Sequence, residues 1–285
     1  MKILQVTIIL FLITININAQ TGSIVQLEDS IQSIFNKIIL SKNDNEKLGY
    51  NSEIQNIFTK LLNKKNSFEY PFTKLKHVSK LNSDDGLLRV FTWNLPFNNG
   101  TYEYFGFIQI KSKNNNVSLI KLTDNSNRIS SPQNKILDSA NWYGALYYKI
   151  LTNNYKNKTY YTLFGWDGND NFTNKKIIET LIIKRKTPQF GDPIIKMGDE
   201  TYNRIIFEYS KQAKMMLRYD EQEELIVFDH LAPSLKKFKG QYMYYGPDLS
   251  QDGLQFENGY WILKPNLDLR NENKNSNKKP IKTSF

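Results

Sequence analysis

The spacing of apolar residues changes once along the chain, and this change most constrains the fold. Between residues 23 and 65, apolar side chains recur every three or four positions, as at Ile24, Leu27 and Ile31. This period is typical of amphipathic helices. After Phe68 the period becomes two, which is typical of strands with one buried face. Helices followed by strands, without alternation of the two, predict an α+β fold rather than a doubly wound parallel sheet.

Two amphipathic helices are predicted within residues 20–66. Ser23 is positioned to cap the first helix, and the polar run 43–45 is predicted to end it. Ser52 is predicted to cap the second helix, which the polar run 63–66 ends. Because amphipathic helices most often bury their apolar stripe on their own domain, we expect both to pack on the β-body rather than on a partner.

A mainly antiparallel, β-rich domain is predicted over residues 67–265. Runs of β-forming residues separated by polar turns predict a meander over 87–122 and a hairpin over 143–164. The other predicted elements are a short helix over 174–181, capped by Thr173, and strands over 204–209, 214–219 and 225–229.

The first nineteen residues have the order of a secretory signal peptide. Lys2 supplies the positive charge, an apolar run follows over residues 3–15, and Ala19 is the small residue before the predicted cut. The run is shorter than the ~20 residues that span a bilayer. We therefore expect an extracytoplasmic protein that is periplasmic, associated with the outer membrane or secreted, and that has no transmembrane segment after cleavage. The alternative is an uncleaved N-terminal anchor.

The chain contains no cysteine. This excludes disulfides, thiolate metal sites, iron–sulfur clusters, a cysteine nucleophile and a lipid-modified N-terminal cysteine.

The net charge of +10 is carried mainly by lysine, since only six of the 38 basic residues are arginine. Nucleic-acid readers rely on arginine for bidentate contacts, so this balance argues against a nucleic-acid partner. Lysines spread along the chain are typical of a solvated surface, and the candidate partners are an anionic envelope glycan or another envelope protein. Residues 266–285 are rich in lysine and asparagine and almost free of apolar residues, which predicts a disordered basic tail.

Asp167, Asn169 and Asn171 carry oxygen ligands at every second position, which is the spacing of a calcium loop. The EF-hand pattern itself is not met, because Phe172 and Ile178 occupy the positions of its glycine and its glutamate. The same residues are also common in turns. Calcium is thus the one cofactor that the sequence suggests, and an ordinary turn is the alternative.

Two further motifs contain candidate catalytic residues. Asp229 and His230 lie side by side at a predicted strand end, where an acid–base pair is one interpretation and a histidine that bonds to a backbone carbonyl is the other. Asp248 and Asp252 lie in a predicted loop and resemble the paired carboxylates of glycosidases. The neighbouring aromatic residues Tyr244, Tyr245 and Trp261 are candidates for stacking on sugar rings. An ordinary loop with a small aromatic core is the alternative.

Several aromatic-rich segments occur in an order that resembles a family of exported, uncharacterised proteins from Bacteroidota. The segments are 142–148, 160–167, 207–210, 217–220, 227–233 and 245–248. The resemblance covers roughly residues 140–262 and implies an envelope location in a Gram-negative cell, but no activity and no functional residue.

These observations favour an exported envelope or secreted protein with a non-enzymatic binding or structural role. The alternative is an extracytoplasmic hydrolase that acts on glycans through aspartates. The two hypotheses differ in geometry, because an enzyme needs Asp167, Asp229, His230, Asp248 and Asp252 to converge in one open cleft.

Overall fold

The computed structural model describes residues 23–267. The predicted signal peptide lies outside the described residues, as does the predicted tail apart from its first two positions. Two helices come first: α1 over 23–40 and α2 over Asp44–Leu62. Three β-sheets follow, so the predicted α+β fold with N-terminal helices and a mainly antiparallel β-body is confirmed.

The second helix starts earlier than its predicted cap at Ser52. The side chain of Asn43 accepts hydrogen bonds from the backbone N–H groups of Asn45 and Glu46, which are exposed donors of the first turn. The polar run that was expected to end α1 therefore begins α2 instead.

Sheet 1 is an antiparallel meander in the order β1-β2-β3-β4. Its strands are β1 (Ser79–Asn82), β2 (Leu88–Pro96), β3 (Tyr102–Lys111) and β4 (Val117–Thr123). The predicted meander over 87–122 is thus confirmed, and β1 extends it by one strand.

Sheet 2 is the central layer of the β-body, with the order β11-β7-β6-β5 and β8 paired to β7. Its strands are β5 (Leu146–Tyr155), β6 (Lys158–Asp167), β7 (Thr173–Lys184), β8 (Thr187–Phe190) and β11 (Arg204–Ser210).

The predicted helix over 174–181 is wrong, because these residues belong to β7. Ile177 and Leu181 join the core between sheets 1 and 2, whereas Ile178 and Ile182 join the core on the other face of sheet 2. A strand that is buried on both faces has apolar residues at consecutive positions. In β7 these are the pairs 177–178 and 181–182, and this spacing also fits one face of a helix.

Sheet 3 has the order β10-β9-β15-β14-β13-β12, and its only parallel pair is β15 with β9. Its strands are β9 (Ile195–Met197), β10 (Glu200–Tyr202), β12 (Leu217–Asp220), β13 (Leu225–Pro233), β14 (Tyr245–Glu257) and β15 (Tyr260–Lys264). Short 3-10 helices over Ser126–Arg128, Pro132–Asn134, Lys236–Phe238 and Tyr242–Tyr244 lie in the connections.

Three hydrophobic cores stack these layers in sequence. The helices pack on one face of sheet 1, sheet 1 packs on sheet 2, and sheet 2 packs on sheet 3. Polar side chains also fasten α2 to sheet 1: Trp93 Nε1 donates to the buried Asn51 Oδ1 over 2.7 Å, and Lys47 Nζ donates to the Pro96 carbonyl over 3.0 Å. As expected, the helices pack on the β-body of the same chain.

Candidate functional site

The long hairpin of β13 and β14 contains an irregularity that brings distant residues together. Asp229 pairs with Gln251, and two residues later Leu231 pairs with Pro247, so His230 lies opposite the three residues 248–250. A bulge of this kind re-aims side chains and interrupts regular pairing. Leu249 at its tip has a φ of 74° and is 99% exposed.

The bulge places His230 beside Asp248. His230 Nδ1 lies 2.8 Å from Asp248 Oδ2, while Asp248 Oδ1 accepts the Ser250 hydroxyl over 2.7 Å and the Ser250 N–H over 3.1 Å. These bonds lower the pKa of Asp248 to about 2, the Ser250 hydroxyl having the largest effect and His230 a smaller one. The result is an ionised carboxylate that orients an exposed imidazole.

A groove of about 520 Å³ begins at Asp248. Its walls come from the end of β11, the end of β13 and the start of β14, and they include Ala213, Pro233, Tyr244 and Tyr245. This volume lies in the usual range for small-ligand sites.

The connection between β13 and β14 forms one rim of the groove, and we call residues 234–245 the aromatic–lysine segment. Phe238 and Tyr244 stack with ring centroids 4.1 Å apart, and Tyr242 packs on Tyr245 at 5.0 Å. The Gly240 N–H donates to the Tyr245 hydroxyl over 2.9 Å. These contacts fix the segment as a structured surface.

The aromatic–lysine segment exposes apolar and basic side chains together. Its exposed members include Leu235, Lys236, Lys237, Lys239, Tyr242, Met243 and Tyr244. Of this segment, the sequence pattern predicted only Tyr244 and Tyr245 as ligand-contacting residues. The available signal was the run of lysines interleaved with aromatic residues over 236–245, which is typical of surfaces that contact anionic ligands.

The other two predicted residues of this hairpin do not join the His230–Asp248 pair. Asp229 accepts the Met216 N–H over 2.7 Å and the Gln251 amide over 3.3 Å. Asp252 accepts the Asn266 N–H over 2.9 Å. Both carboxylates therefore have structural partners of their own.

Trp261 does not form part of a sugar-stacking surface. Its side chain is fully buried in the core between sheets 2 and 3, and Nε1 donates to the Thr162 hydroxyl over 2.9 Å. This part of the prediction is wrong, because a buried ring offers no free face to a ligand.

Asp167, Asn169 and Asn171 lie at the turn from β6 to β7, where each of their side chains has a hydrogen-bond partner from outside the turn. Asp167 is buried and accepts the Tyr104 hydroxyl over 2.9 Å, and Lys175 Nζ donates to Asn169 Oδ1 over 2.7 Å. The Asn171 amide donates to the Asn99 carbonyl over 2.9 Å. Lys175 Nζ also lies 3.8 Å from Asp167 Oδ2, so a lysine ammonium occupies the position between the two side chains.

The five residues proposed for a hydrolase thus lie in four separate sets of hydrogen bonds. Only His230 and Asp248 bond to each other, and of the five only Asp248 lines the groove. Within residues 23–267, no three histidine or carboxylate side chains are grouped closely enough to hold a metal ion. In the same part of the chain, no helix has the length and apolarity that crossing a membrane requires.

No protein family, curated protein or solved structure matches the chain.

Proposed function

We propose that the chain is an exported, non-enzymatic binding protein of the cell envelope or the secreted space, and that the groove beside the aromatic–lysine segment binds an anionic envelope glycan. The observation that supports this proposal is the exposure of Tyr242, Met243 and Tyr244 beside a formed groove, on a segment that also exposes three lysine side chains. Exposed apolar clusters of this kind commonly mark interaction surfaces.

The chemistry of the groove suits a sugar that carries negative charge. Tyrosine rings offer an apolar face together with a polar hydroxyl, which matches the mixed surface of a sugar ring. Lys236, Lys237 and Lys239 are exposed on the aromatic–lysine segment and attract anionic groups from solution. Asp248 lines the groove, and its carboxylate bonds to His230.

Binding to purified lipopolysaccharide, measured by biolayer interferometry at low salt, tests the proposal. We expect the triple variant K236Q/K237Q/K239Q to weaken binding at least tenfold, and Y244A to weaken it several-fold. The triple variant K184Q/R185Q/K186Q is the matched control, because it removes three exposed charges from the β7–β8 turn instead. Equal losses in the two triple variants, or no binding by the wild type, would contradict the proposed site.

The hydrolase alternative rests on the His230–Asp248 bond alone. A glycosidase needs two carboxyl groups about 5–10 Å apart around the scissile bond, and Asp229 and Asp252 are engaged by backbone and amide donors elsewhere. An assay for new reducing ends on the same glycan separates the two functions. If the wild type produces new reducing ends and both H230Q and D248N do not, the hydrolase is supported. If the wild type binds the glycan without producing reducing ends, the binding protein is supported.

A further inference from the structure

Arg89 on β2 is a buried cation that has no carboxylate partner. Its side chain is 4% exposed, and its Nη1 donates to the carbonyls of Ser67, Phe68 and Tyr70 over 2.5–3.0 Å. Among residues 23–267, the arginines paired with a carboxylate are Arg204 and Arg218.

The bonds of Arg89 leave part of its guanidinium unsatisfied. Nε is buried and has no hydrogen-bond partner. The guanidinium lies against the rings of Phe91 and Phe72, 4.9 and 5.3 Å from their centroids. Burial lowers the pKa of Arg89 to about 10, so the group stays charged at neutral pH. An unpaired buried charge is costly, and a bound anion would remove that cost.

Arg89 lines a pocket of about 660 Å³ between the segment 68–71 and the ends of β1, β2 and β3. The pocket also contains Lys80, Lys111 and Lys113, against the two acidic side chains Glu69 and Asp85. Lys80 is partly buried and donates to the Leu75 carbonyl. The lining is therefore basic overall.

Neither acidic side chain forms an ion pair with Arg89, although the charge of Glu69 opposes the lowering of the Arg89 pKa by burial. Asp85 accepts the hydroxyls of Ser83 and Tyr161 and the N–H of Leu87. Glu69 is largely exposed and lies 2.7 Å from Lys111 Nζ. Because this ion pair is exposed to solvent, an incoming anion would compete with Glu69 for Lys111.

We propose that this pocket binds the oxyanion of a monosaccharide-sized ligand, a carboxylate, sulfate or phosphate group, between Arg89, Lys80 and Lys111. A planar guanidinium is suited to such groups, and the lysines add charge. Phe68, Tyr70 and Pro71 supply an apolar wall for the body of the ligand. The pocket is built on sheet 1, whereas the aromatic–lysine segment belongs to sheet 3, so the two proposals stand independently.

Isothermal titration calorimetry with glucuronate, sulfate, phosphate and neutral glucose tests the pocket. At constant ionic strength in chloride, we expect saturable binding of at least one anion and none of glucose. K80M and K111Q are each expected to weaken this binding at least tenfold, and K184Q on the β7–β8 turn is the charge-matched control. Binding of glucuronate alone would identify a carboxylate ligand. Binding of sulfate or phosphate alone would identify a sulfate or phosphate ester.

E69Q distinguishes a binding pocket from a purely structural arginine. Removal of the competing carboxylate should strengthen anion binding several-fold, an effect that a structural role for Arg89 does not produce. Because Glu69 is exposed, this variant is expected to fold normally. No saturable heat with any of the three anions would overturn the proposal, as would anion binding that K80M, K111Q and E69Q leave unchanged.

Discussion

Arg204 and Glu179 form a fully buried ion pair across neighbouring strands of sheet 2, with Arg204 Nε donating to Glu179 Oε1 over 2.6 Å. Tyr147 donates its hydroxyl to the other carboxylate oxygen, and Trp142 Nε1 donates to the Tyr147 hydroxyl over 2.8 Å. Burial holds the pKa of Tyr147 well above its ordinary value, so this hydroxyl remains a donor. The network joins sheet 2 to the segment that follows sheet 1.

Breaking this ion pair from either side should destabilise the fold strongly. We expect E179Q and R204M each to lower the free energy of unfolding by about 3–5 kcal/mol, because each leaves the partner charge buried and uncompensated. R218Q is the control: it breaks the exposed pair with Asp220 and should cost less than about 1 kcal/mol. Urea unfolding followed by tryptophan fluorescence measures all three. Similar costs for the buried and exposed pairs would contradict the expectation.

Gly168 should resist substitution because of its close contact with a tyrosine ring. A Cβ at this position would lie 2.3 Å from Tyr102 Cε2, whereas the left-handed φ in this turn belongs to Asn169 at 45°. We expect G168A to cost about 1–3 kcal/mol through overpacking.

Two further variants check this explanation for Gly168. G246A should be nearly neutral, since its Cβ would lie at an ordinary 3.5 Å from Ala213. In a Y102A background the cost of G168A should largely disappear. A cost that persists in the double variant would contradict a steric cause.

The His230–Asp248 site should contribute stability in a defined pH range. The folded pKa of Asp248, about 2, lies below the ordinary value of 3.8. The ionised carboxylate therefore stabilises the fold above pH 3.8. This contribution is lost as the pH falls through the pKa that Asp248 has in the folded protein. We expect D248N to have a lower urea midpoint than the wild type at about pH 6, with the difference shrinking toward pH 2.

Ser250 provides the control for that pH dependence. Its hydroxyl has the largest effect on the Asp248 carboxylate, so S250A should raise the pKa of Asp248 toward its ordinary value. Carboxyl-carbon NMR titration measures this pKa directly. An unchanged pKa in S250A would contradict the assigned cause.

Calcium should leave the melting temperature unchanged, because Lys175 occupies the position between Asp167 and Asn169. Thermal melts in millimolar calcium and in chelator, compared for the wild type and K175Q, test this expectation. A calcium-dependent rise of several degrees in the wild type that D167N abolishes would instead support the calcium loop that the side-chain spacing suggests.

The helices were predictable from sequence because each has one buried face and a clear period. The central strands β2 and β3 of the first meander are buried on both faces, and the meander was predictable because polar turn residues separate its β-forming runs. Strand β7 was not predicted, since its apolar residues at 177–178 and 181–182 recur at a spacing that also fits a helix. Strand β14 was not predicted as a strand, for a different reason. Gly246, Pro247 and Gly253 are typical of turns, and here they lie within a bulged strand.

The candidate site was predictable only in part. His230 and Asp248 were both singled out, yet their pairing across 18 positions depends on the register of a hairpin that local patterns do not specify. The Arg89 pocket has no local signature at all, because an arginine on an apolar strand shows its missing counter-ion only once the surrounding layers are assembled.

Export is the prediction on which the proposed function depends most. The charged start, short apolar run and Ala19 predict cleavage that leaves Gln20 as the first residue. Intact-mass measurement of the protein from an envelope or culture fraction tests this, and A19R, which places a bulky charge at the cut, should block processing. A full-length mass in that fraction would identify an uncleaved anchor instead. A full-length protein confined to the cytoplasm would remove the basis for an envelope glycan ligand, while leaving the anion pocket of Arg89 to be tested on its own.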